Sequence, residues 1–339
     1  MNFSIFRHIL ALIVLWGHCF VLGYGCEEPF IFNGYTLREA AVAGFFAISG
    51  YLLAKSLLKK PKLSDYFKNR AIRILPGYWG VLLFSSLILA PLLLCILYPG
   101  WSYWKYLTAG TVNPLNYLTG NFFLTNPQVE IRPLFMPNIY PRIWNGSLWS
   151  LPCEAFCYVI LGIISLFNLK KALPIVFISF ILLRGSSIFI EYKLCSSQSF
   201  WGGTVINNTI HPAGGAMLLF FLCGSMLALY PQILKYGKFA SIGLICAWIA
   251  PREIGLFILP PMLAISLIWL GNMGKYNMKH DISYGLYLYA FPVQQVLAMY
   301  KINGALYMIL SFVITTILAI ISWFCIEKPF LRLKNLVKT

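Results

Sequence analysis

The stretch MNFSIFRHILALIVLWGHCF, residues 1–20, places two ionisable side chains, Arg7 and His18, inside an apolar segment. Such a side chain is costly in the hydrocarbon layer of a membrane, so it usually faces protein or a cavity and often has a functional role. Eleven residues at about 100° each return to within roughly 20° of the starting direction. A helix would therefore carry both residues on one face, about 16 Å apart along its axis. The alternative is a snorkelling arginine at the helix start and an unrelated core histidine.

The composition of the whole chain is that of a polytopic membrane protein. Of its 339 residues, 59% are apolar and 11% are charged, whereas soluble domains carry about 25% charged residues. The formal net charge of +16 could suggest a nucleic-acid partner. The basic residues lie in short clusters between apolar runs, however, which is typical of membrane topology, and we predict no nucleic-acid partner. None of the histidines has a spacing that favours zinc, so we predict no metal.

A membrane-spanning helix needs about 20 mostly apolar residues, and we predict about ten such spans. They lie at approximately 5–23, 41–58, 76–98, 147–168, 172–190, 211–230, 239–251, 255–271, 282–300 and 305–326. Most lysines and arginines fall in alternate loops and in the C-terminal tail, so the positive-inside rule predicts that both termini are cytoplasmic. We therefore expect an all-α, polytopic transmembrane helical bundle that forms a single domain over residues 1–339, with no appended soluble domain.

One long predicted outer loop, at about 99–146, is rich in proline, asparagine, tyrosine and tryptophan. Because its aromatic side chains need burial, we expect the loop to fold over the outer face. A disulfide between Cys26 and Cys195, both in predicted outer loops, is possible, and the sequence does not decide it.

A predicted cytoplasmic loop, KKPKLSDYFKNRAIRILPGYW at residues 59–79, carries Arg70 and Arg73 three residues apart. In a helix the two side chains would point the same way. Guanidinium pairs are good phosphate clamps. The alternative is that both arginines follow the positive-inside rule or contact lipid headgroups.

Two further apolar segments carry small or acidic residues. Ser49 and Gly50 lie in GFFAISGYLLAKSL, residues 44–57, where small side chains let helices or the thin arm of a ligand approach closely; helix packing is the default interpretation. Glu154 is the only carboxylate in NGSLWSLPCEAFCYVI, residues 145–160. A glutamate within the membrane is typically a proton handler or the partner of a buried cation, and structural pairing with an arginine is the alternative.

The stretch DISYGLYLYAFPVQQ, residues 281–295, supplies a polar, aromatic lining made of Tyr284, Tyr287 and Tyr289 with Gln294 and Gln295. Tyrosine and glutamine side chains can bind sugar hydroxyls. They can equally form hydrogen bonds between helices, and core packing is favoured for any single tyrosine.

Taken together, these segments resemble the acyltransferase-3 family of membrane O-acyltransferases, which includes O-antigen and other surface-glycan acetylases. The matching pieces occur in the family's order over nearly the whole chain: Arg7-x10-His18, FFAISGYL, Arg70-x-x-Arg73 followed by ILPGYW, Leu148–Glu154, Ser283–Tyr289 and the EKP of Glu327–Pro329. Many members have a histidine where this chain has Ala290 and a second acidic residue where it has Ala155. Ala290 removes one possible second catalytic histidine.

The resemblance implies acetyl-CoA, or a similar acyl-CoA, as the donor and a hydroxyl of a surface glycan or glycolipid as the acceptor, at the bacterial inner membrane. It implies essential roles for Arg7, His18, Arg70 and Arg73. His18 would act as a general base or accept the acyl group transiently.

The remaining candidates receive roles on the same basis. Arg70 and Arg73 would hold the coenzyme phosphates, and the pantetheine arm would pass the small residues Ser49 and Gly50. Glu154 would orient the imidazole or stabilise its charged form. Tyr284, Tyr287 and Gln294 would bind the acceptor.

A transporter or flippase of a lipid-linked sugar is the alternative function. It would also need about ten spans and intramembrane charge. The sequence shows no paired halves with interrupted helices in matching positions, which favours the enzyme. The acceptor's identity, the acyl chain length and the oligomeric state are left open by the sequence.

Overall fold

The computed structural model describes residues 3–29, 31–32, 35–59, 62–124, 129–194, 217–274 and 278–336. These residues are predominantly helical. A short antiparallel pair of strands, β1 (Ile31–Phe32) and β2 (Tyr35–Thr36), is the exception among them. The all-α class predicted from the sequence is confirmed, and Cys195 of the possible disulfide lies outside the described residues.

Long helices separated by short connections make up most of this architecture. The α-helices are α1 (Phe3–His18), α2 (Leu37–Lys59), α3 (Leu63–Leu83), α4 (Ala90–Leu97), α5 (Tyr103–Thr108), α6 (Pro114–Asn121), α7 (Ser150–Leu166), α8 (Leu169–Leu194), α9 (Met217–Leu229), α10 (Gly237–Ile249), α11 (Arg252–Met273), α12 (Ser283–Met299), α13 (Gly304–Ser322) and α14 (Lys328–Leu336). Turns of π-helix occupy Cys19–Tyr24, Phe84–Leu89 and Trp323–Glu327, and turns of 3-10 helix occupy Gly146–Trp149 and Pro231–Tyr236.

Five helical stretches among the described residues are long and apolar enough to cross a membrane. They are Phe3–Tyr24, Leu37–Lys59, Leu63–Leu97, Gly146–Leu166 and Gly304–Arg332. Met217–Leu229 and Pro231–Ala247 would make a sixth if they act as one span despite a bend of 107° between them. The polytopic helical class is confirmed, whereas ten spans and cytoplasmic termini stay predictions; the start of the predicted span 211–230 lies outside the described residues.

A reciprocal cap fixes the start of α2. The backbone N–H of Glu39 donates to the Thr36 hydroxyl at 3.3 Å, and the Thr36 N–H donates to the Glu39 carboxylate at 2.8 Å. This capping box satisfies two backbone donors that a helix start otherwise leaves open.

The helix that carries Arg70 and Arg73 is longer than the sequence predicts. We expected a span to begin at residue 76, but α3 runs through Pro76 and its helical stretch covers Leu63–Leu97. Pro76 removes the helical hydrogen bond that the Ile72 carbonyl would otherwise accept, and membrane helices tolerate such a proline. The Tyr284 hydroxyl donates to the Ile74 carbonyl at 2.9 Å, which joins α12 to this part of α3.

The chain divides into two compact units, each assembled from distant segments. Unit 1 comprises Met1–Leu10, Phe30–Phe67 and Ser150–Met278, and unit 2 comprises Ala11–Pro29, Lys68–Trp149 and Lys279–Thr339. Helix α1 contributes residues to both units.

In unit 1, α2 and α9 approach each other through glycines. A Cβ atom on Gly50 would lie 2.0 Å from the Phe221 carbonyl oxygen, and a Cβ atom on Gly224 would lie 1.9 Å from the Ala47 carbonyl oxygen. Both distances are far inside van der Waals contact with backbone that cannot move independently of its helix. Only glycine fits at either position, so the close approach of the two helices requires glycine at both Gly50 and Gly224.

In unit 2, the long segment between α4 and α7 packs around aromatic residues. Trp144 is fully buried and stacks on Phe135 with ring centroids 4.9 Å apart, while Tyr117 meets it edge-on at 6.3 Å. The burial of these three rings is as expected, whereas Trp104 and Phe123 of the same segment are 66% and 76% exposed. That the loop folds over the outer face stays a prediction.

Candidate active site

Arg7 and His18 both lie on α1, which is uninterrupted from Phe3 to His18. The helix predicted by their spacing is present, so the two residues share one helix face. His18 is the last residue of the α-helix, and a π-helical turn follows directly at Cys19–Tyr24. Such turns often mark functional sites. In unit 2 the His18 imidazole is 9% exposed and meets the Phe291 ring edge-on, with ring centroids 5.2 Å apart.

Gln294 of α12 contacts α1 before His18 and the π-helical turn after it, through one backbone carbonyl and one side-chain sulfur. Its amide nitrogen donates to the Leu15 carbonyl at 2.9 Å and contacts the Cys19 sulfur at 3.1 Å. The amide oxygen, in contrast, accepts no hydrogen bond from the described residues. The predicted role of Gln294 in binding the acceptor stays a prediction, since half of its amide is already committed to α1.

Glu154, on α7 in unit 1, is surrounded by hydroxyl donors. The Ser49 hydroxyl donates to the Glu154 carboxylate at 2.9 Å, and the Tyr158 hydroxyl donates to the same oxygen. Among the described residues of unit 1, no lysine or arginine forms an ion pair with Glu154. The structure therefore brings together two predicted site residues, Ser49 and Glu154, and the alternative of a structural arginine partner gains no support within this unit.

Gly50, predicted next to Ser49 as a coenzyme contact, is used for helix packing against α9. This matches the default interpretation of the small-residue segment. A role for Gly50 in coenzyme binding stays a prediction.

Arg73 is held by acidic residues in unit 2. Its guanidinium lies 2.9 Å from the Asp281 carboxylate and 3.9 Å from the Glu327 carboxylate. The Ser283 hydroxyl donates to the other oxygen of Asp281 at 2.5 Å, and the Tyr284 ring centre lies 5.9 Å from the guanidinium carbon. The guanidinium is thus neutralised and fixed by the protein itself.

Arg70 precedes Arg73 by three residues on the same helix, and its surroundings differ. Within the described residues of unit 2, its side chain has no ion pair and no hydrogen bond, and its Nε atom is buried. The two arginines that the sequence treats as a pair therefore have different availability for a bound anion.

The tyrosines predicted to bind the acceptor donate their hydroxyl hydrogens to backbone. Tyr287 donates to the Ser147 carbonyl at 2.9 Å, as Tyr284 does to Ile74. These bonds agree with the alternative interpretation of hydrogen bonds between helices, and the substrate role stays a prediction.

Asp281 was missed by the sequence interpretation, although an isolated acid at the start of an apolar segment was an available signal. Gln295 was predicted as part of the polar lining, but its partners Tyr140 and Ile143 are far away in sequence and could not be predicted.

Arg7 and His18 thus lie in one helical stretch of membrane length, Phe3–Tyr24, and the family of the chain follows from comparison with known proteins. The sequence model of the acyltransferase-3 family, described as an acyltransferase domain, matches residues 2–327. The chain belongs to the acyltransferase-3 family. Its predicted family is thereby confirmed, and the apolar helices together with the family identify this acyltransferase as an integral membrane protein.

A named relative supports the same assignment over the full length. An O-acetyl transferase of Shigella phage Sf6 is 28% identical over 360 residues, covering 97% of this acyltransferase and 95% of the relative. No solved structure matches the chain significantly.

Proposed function

We propose that this acyltransferase moves an acetyl group, or a similarly short acyl group, from cytoplasmic acetyl-CoA to a hydroxyl of a surface glycan or glycolipid on the outer side of a bacterial inner membrane. The observation that carries the proposal is the uninterrupted helix α1, which holds Arg7 and His18 on one face in a member of an acyltransferase family. The name of the phage relative supports an acetyl group and an oxygen acceptor. Ten spans with both termini in the cytoplasm belong to the same proposal.

The donor's phosphates require cationic partners at the inner surface. Arg70 fits this role best, because its guanidinium is not engaged by an acid of unit 2, and a guanidinium fork matches phosphate oxygens. Arg73 is the weaker candidate, because Asp281 and Glu327 already engage its guanidinium. Arg7 lies at the start of α1, and an axial rise of about 16 Å to His18 suits an extended pantetheine arm.

His18 would act as the general base in direct transfer. The imidazole takes the proton of the acceptor hydroxyl while the hydroxyl oxygen attacks the thioester carbonyl. A carbon–oxygen bond forms, the carbon–sulfur bond breaks, and the departing coenzyme thiolate receives the proton from the imidazolium. In the second route the imidazole itself accepts the acyl group and passes it to the hydroxyl. Glu154 is the candidate carboxylate for proton transfer, since in unit 1 it accepts hydrogen bonds from two hydroxyl groups.

The decisive experiment follows coenzyme release from acetyl-CoA by the purified acyltransferase in lipid nanodiscs. His18→Ala should lose transfer at least 100-fold while the protein stays folded, because the base is removed. His280→Ala is the matched control: His280 is an exposed histidine whose ring accepts a hydrogen bond from Trp323. Wild-type turnover in His18→Ala would refute the catalytic assignment, and a flippase would consume no thioester.

Two further measurements test the route of acyl transfer and the identity of the acceptor. A stoichiometric burst of coenzyme release without acceptor, with the labelled acetyl group on the protein after a neutral quench, would favour the acyl-enzyme route, whereas label that stays in acetyl-CoA until acceptor is added would favour direct transfer. Mass spectrometry of surface polysaccharide from a deletion strain should show a missing acetyl group, and an unchanged polysaccharide would contradict the glycan acceptor.

A further inference from the structure

We infer that Gln294 is a positioning residue for His18, which fixes the junction between the α-helix and the π-helical turn at which this histidine lies. The inference deepens the proposed function and rests on it. In this role Gln294 affects catalysis by holding His18 in place and does not itself contact the acceptor.

The Gln294 side chain holds the backbone that carries the imidazole. It is 0% exposed, and its amide nitrogen reaches both Leu15, three residues before His18, and Cys19, one residue after it. Leu15 and Cys19 are themselves 0% exposed. One amide group therefore links the backbone one turn before His18 to the side chain directly after it, in an environment where hydrogen bonds are not exchanged with water.

The imidazole is also held from the side by the same helix. Phe291, three residues before Gln294 on α12, forms the edge-on contact with the His18 ring. Residues three apart lie on one helix face. A single face of α12 thus fixes both the backbone and the ring of His18.

The π-helical turn after His18 is fixed by Tyr307 of α13. The Tyr307 hydroxyl donates to the Gln294 carbonyl at 3.2 Å, and its ring fills the space beside Gly23, where a Cβ atom would lie 2.3 Å away. Tyr24 ends the turn and donates to the Gly304 carbonyl at 3.0 Å. Gln294 therefore belongs to a rigid support, and rigidity matters because misplacing a reacting group by about 1 Å can cost roughly 100-fold in rate.

The adjacent residue supplies a matched control. Gln295 is also 0% exposed, but its amide nitrogen donates to the carbonyls of Tyr140 and Ile143 at 2.8 and 2.7 Å, and its amide oxygen accepts from Asn138 at 2.7 Å. The two glutamines share residue type, helix and burial. They differ in their partners. Gln294 binds residues on either side of His18, whereas Gln295 binds the segment between α4 and α7.

The experiment compares Gln294→Leu with Gln295→Leu in nanodiscs, using acetyl-CoA as donor. Gln294→Leu should lower kcat about 30-fold with the KM for acetyl-CoA within about twofold of wild type, since the base is misaligned and donor binding is untouched. Gln295→Leu should lower the Tm by a similar amount and leave kcat within about threefold. Equal losses of kcat in the two variants would overturn the inference and indicate a purely structural role.

Gln294→Glu tests the same contact when Gln294→Leu does not fold. Its carboxylate, placed beside the residues that flank His18, favours the protonated imidazole. A general base must be neutral, so the acidic limb of the pH–rate profile should move to higher pH by about one unit. The titratable neighbours of unit 2 at this end of α1 are Cys19, Tyr24 and Tyr307, which are ordinarily uncharged near neutral pH. An unmoved acidic limb would refute the positioning role.

The failure of this inference is distinguishable from that of the proposed function. If the wild-type acyltransferase releases no coenzyme from acetyl-CoA, the proposed function fails. If the wild type is active and the two glutamine positions respond alike, the positioning role alone fails.

Discussion

Glu154 in unit 1 and the acids Asp281 and Glu327 in unit 2 are carboxylates stabilised in opposite ways. Glu154 accepts hydrogen bonds from the hydroxyls of Ser49 and Tyr158. Asp281 and Glu327, in contrast, share the guanidinium of Arg73. Hydroxyl donors leave a carboxylate with its full charge, whereas the Arg73 guanidinium offsets one of the two negative charges beside it.

This difference separates a residue available for chemistry from residues that maintain structure. An uncompensated carboxylate can take up a proton or attract a charged group during a reaction. Acids paired with an arginine are costly to separate from it, because removal of one partner leaves a buried charge. The comparison therefore predicts that mutations near Glu154 change turnover, whereas mutations near Arg73 change stability.

The largest expected effect is that of Glu154→Gln, which should lower kcat at least 100-fold without a measurable loss of thermal stability. The amide is nearly isosteric and still accepts from Ser49, but it carries no charge and cannot handle a proton. Coenzyme release from acetyl-CoA and the Tm in detergent are the two measurements. A variant that keeps more than half of the wild-type kcat would show that Glu154 is structural.

Arg73→Ala should destabilise the protein by about 2 kcal/mol, at the low end for a buried pair because the Arg73 side chain is 21% exposed. The Glu327 side chain, 2% exposed, would lose its cationic partner. Adding Glu327→Gln to this variant should restore part of the loss, since the uncompensated charge is then removed. Thermal unfolding in detergent measures both steps, and additive losses in the double variant would contradict the pairing.

Arg70→Lys should raise the KM for acetyl-CoA about fivefold with little change in Tm, because lysine keeps the charge and loses the fork. Arg73→Lys should also weaken donor binding, but less, since Asp281 already occupies part of its guanidinium. Steady-state kinetics with acetyl-CoA as the varied substrate compare the two. A larger increase of KM at position 73 than at position 70 would show that Arg73, and not Arg70, is the main ligand of the coenzyme phosphates.

Tyr158→Phe should have the smallest effect, about twofold in kcat. The Ser49 hydroxyl continues to donate to the same oxygen of Glu154, so the carboxylate keeps one of two donors. The hydrogen bond that Tyr158 donates is present before and during the reaction, so its loss affects binding and stability more than kcat. If Tyr158→Phe lost as much activity as Glu154→Gln, the tyrosine itself would be the proton donor.

The sequence predicted those features of this acyltransferase that depend on local periodicity. The apolar run at residues 5–23 predicts α1, and the eleven-residue spacing predicts that Arg7 and His18 share a face, because both follow from one helix. The shared direction of Arg70 and Arg73 follows in the same way from α3.

The partners of these residues could not be predicted, because they are distant in sequence. Asp281 binds Arg73 across 208 positions, and Gln294 binds Leu15 across 279. Nothing in the local pattern distinguishes Gln294 from Gln295, whose roles differ only through tertiary packing. The continuation of α3 through Pro76 was missed for a local reason, since a proline at the start of an apolar run is typical of the first turn of a helix.

The close glycine crossing of α2 and α9 has a consequence for biogenesis. Roughly 160 residues lie between the end of α2 at Lys59 and the start of α9 at Met217, and ribosomes add about 5–20 residues per second. Helix α2 is therefore in the membrane for on the order of 10–30 s before α9 is synthesised, and its surface at Gly50 has no packing partner during that time. During that interval lipid or an insertion chaperone must cover this surface, so a nascent chain arrested before residue 217 should be far more prone to degradation than one arrested after residue 230.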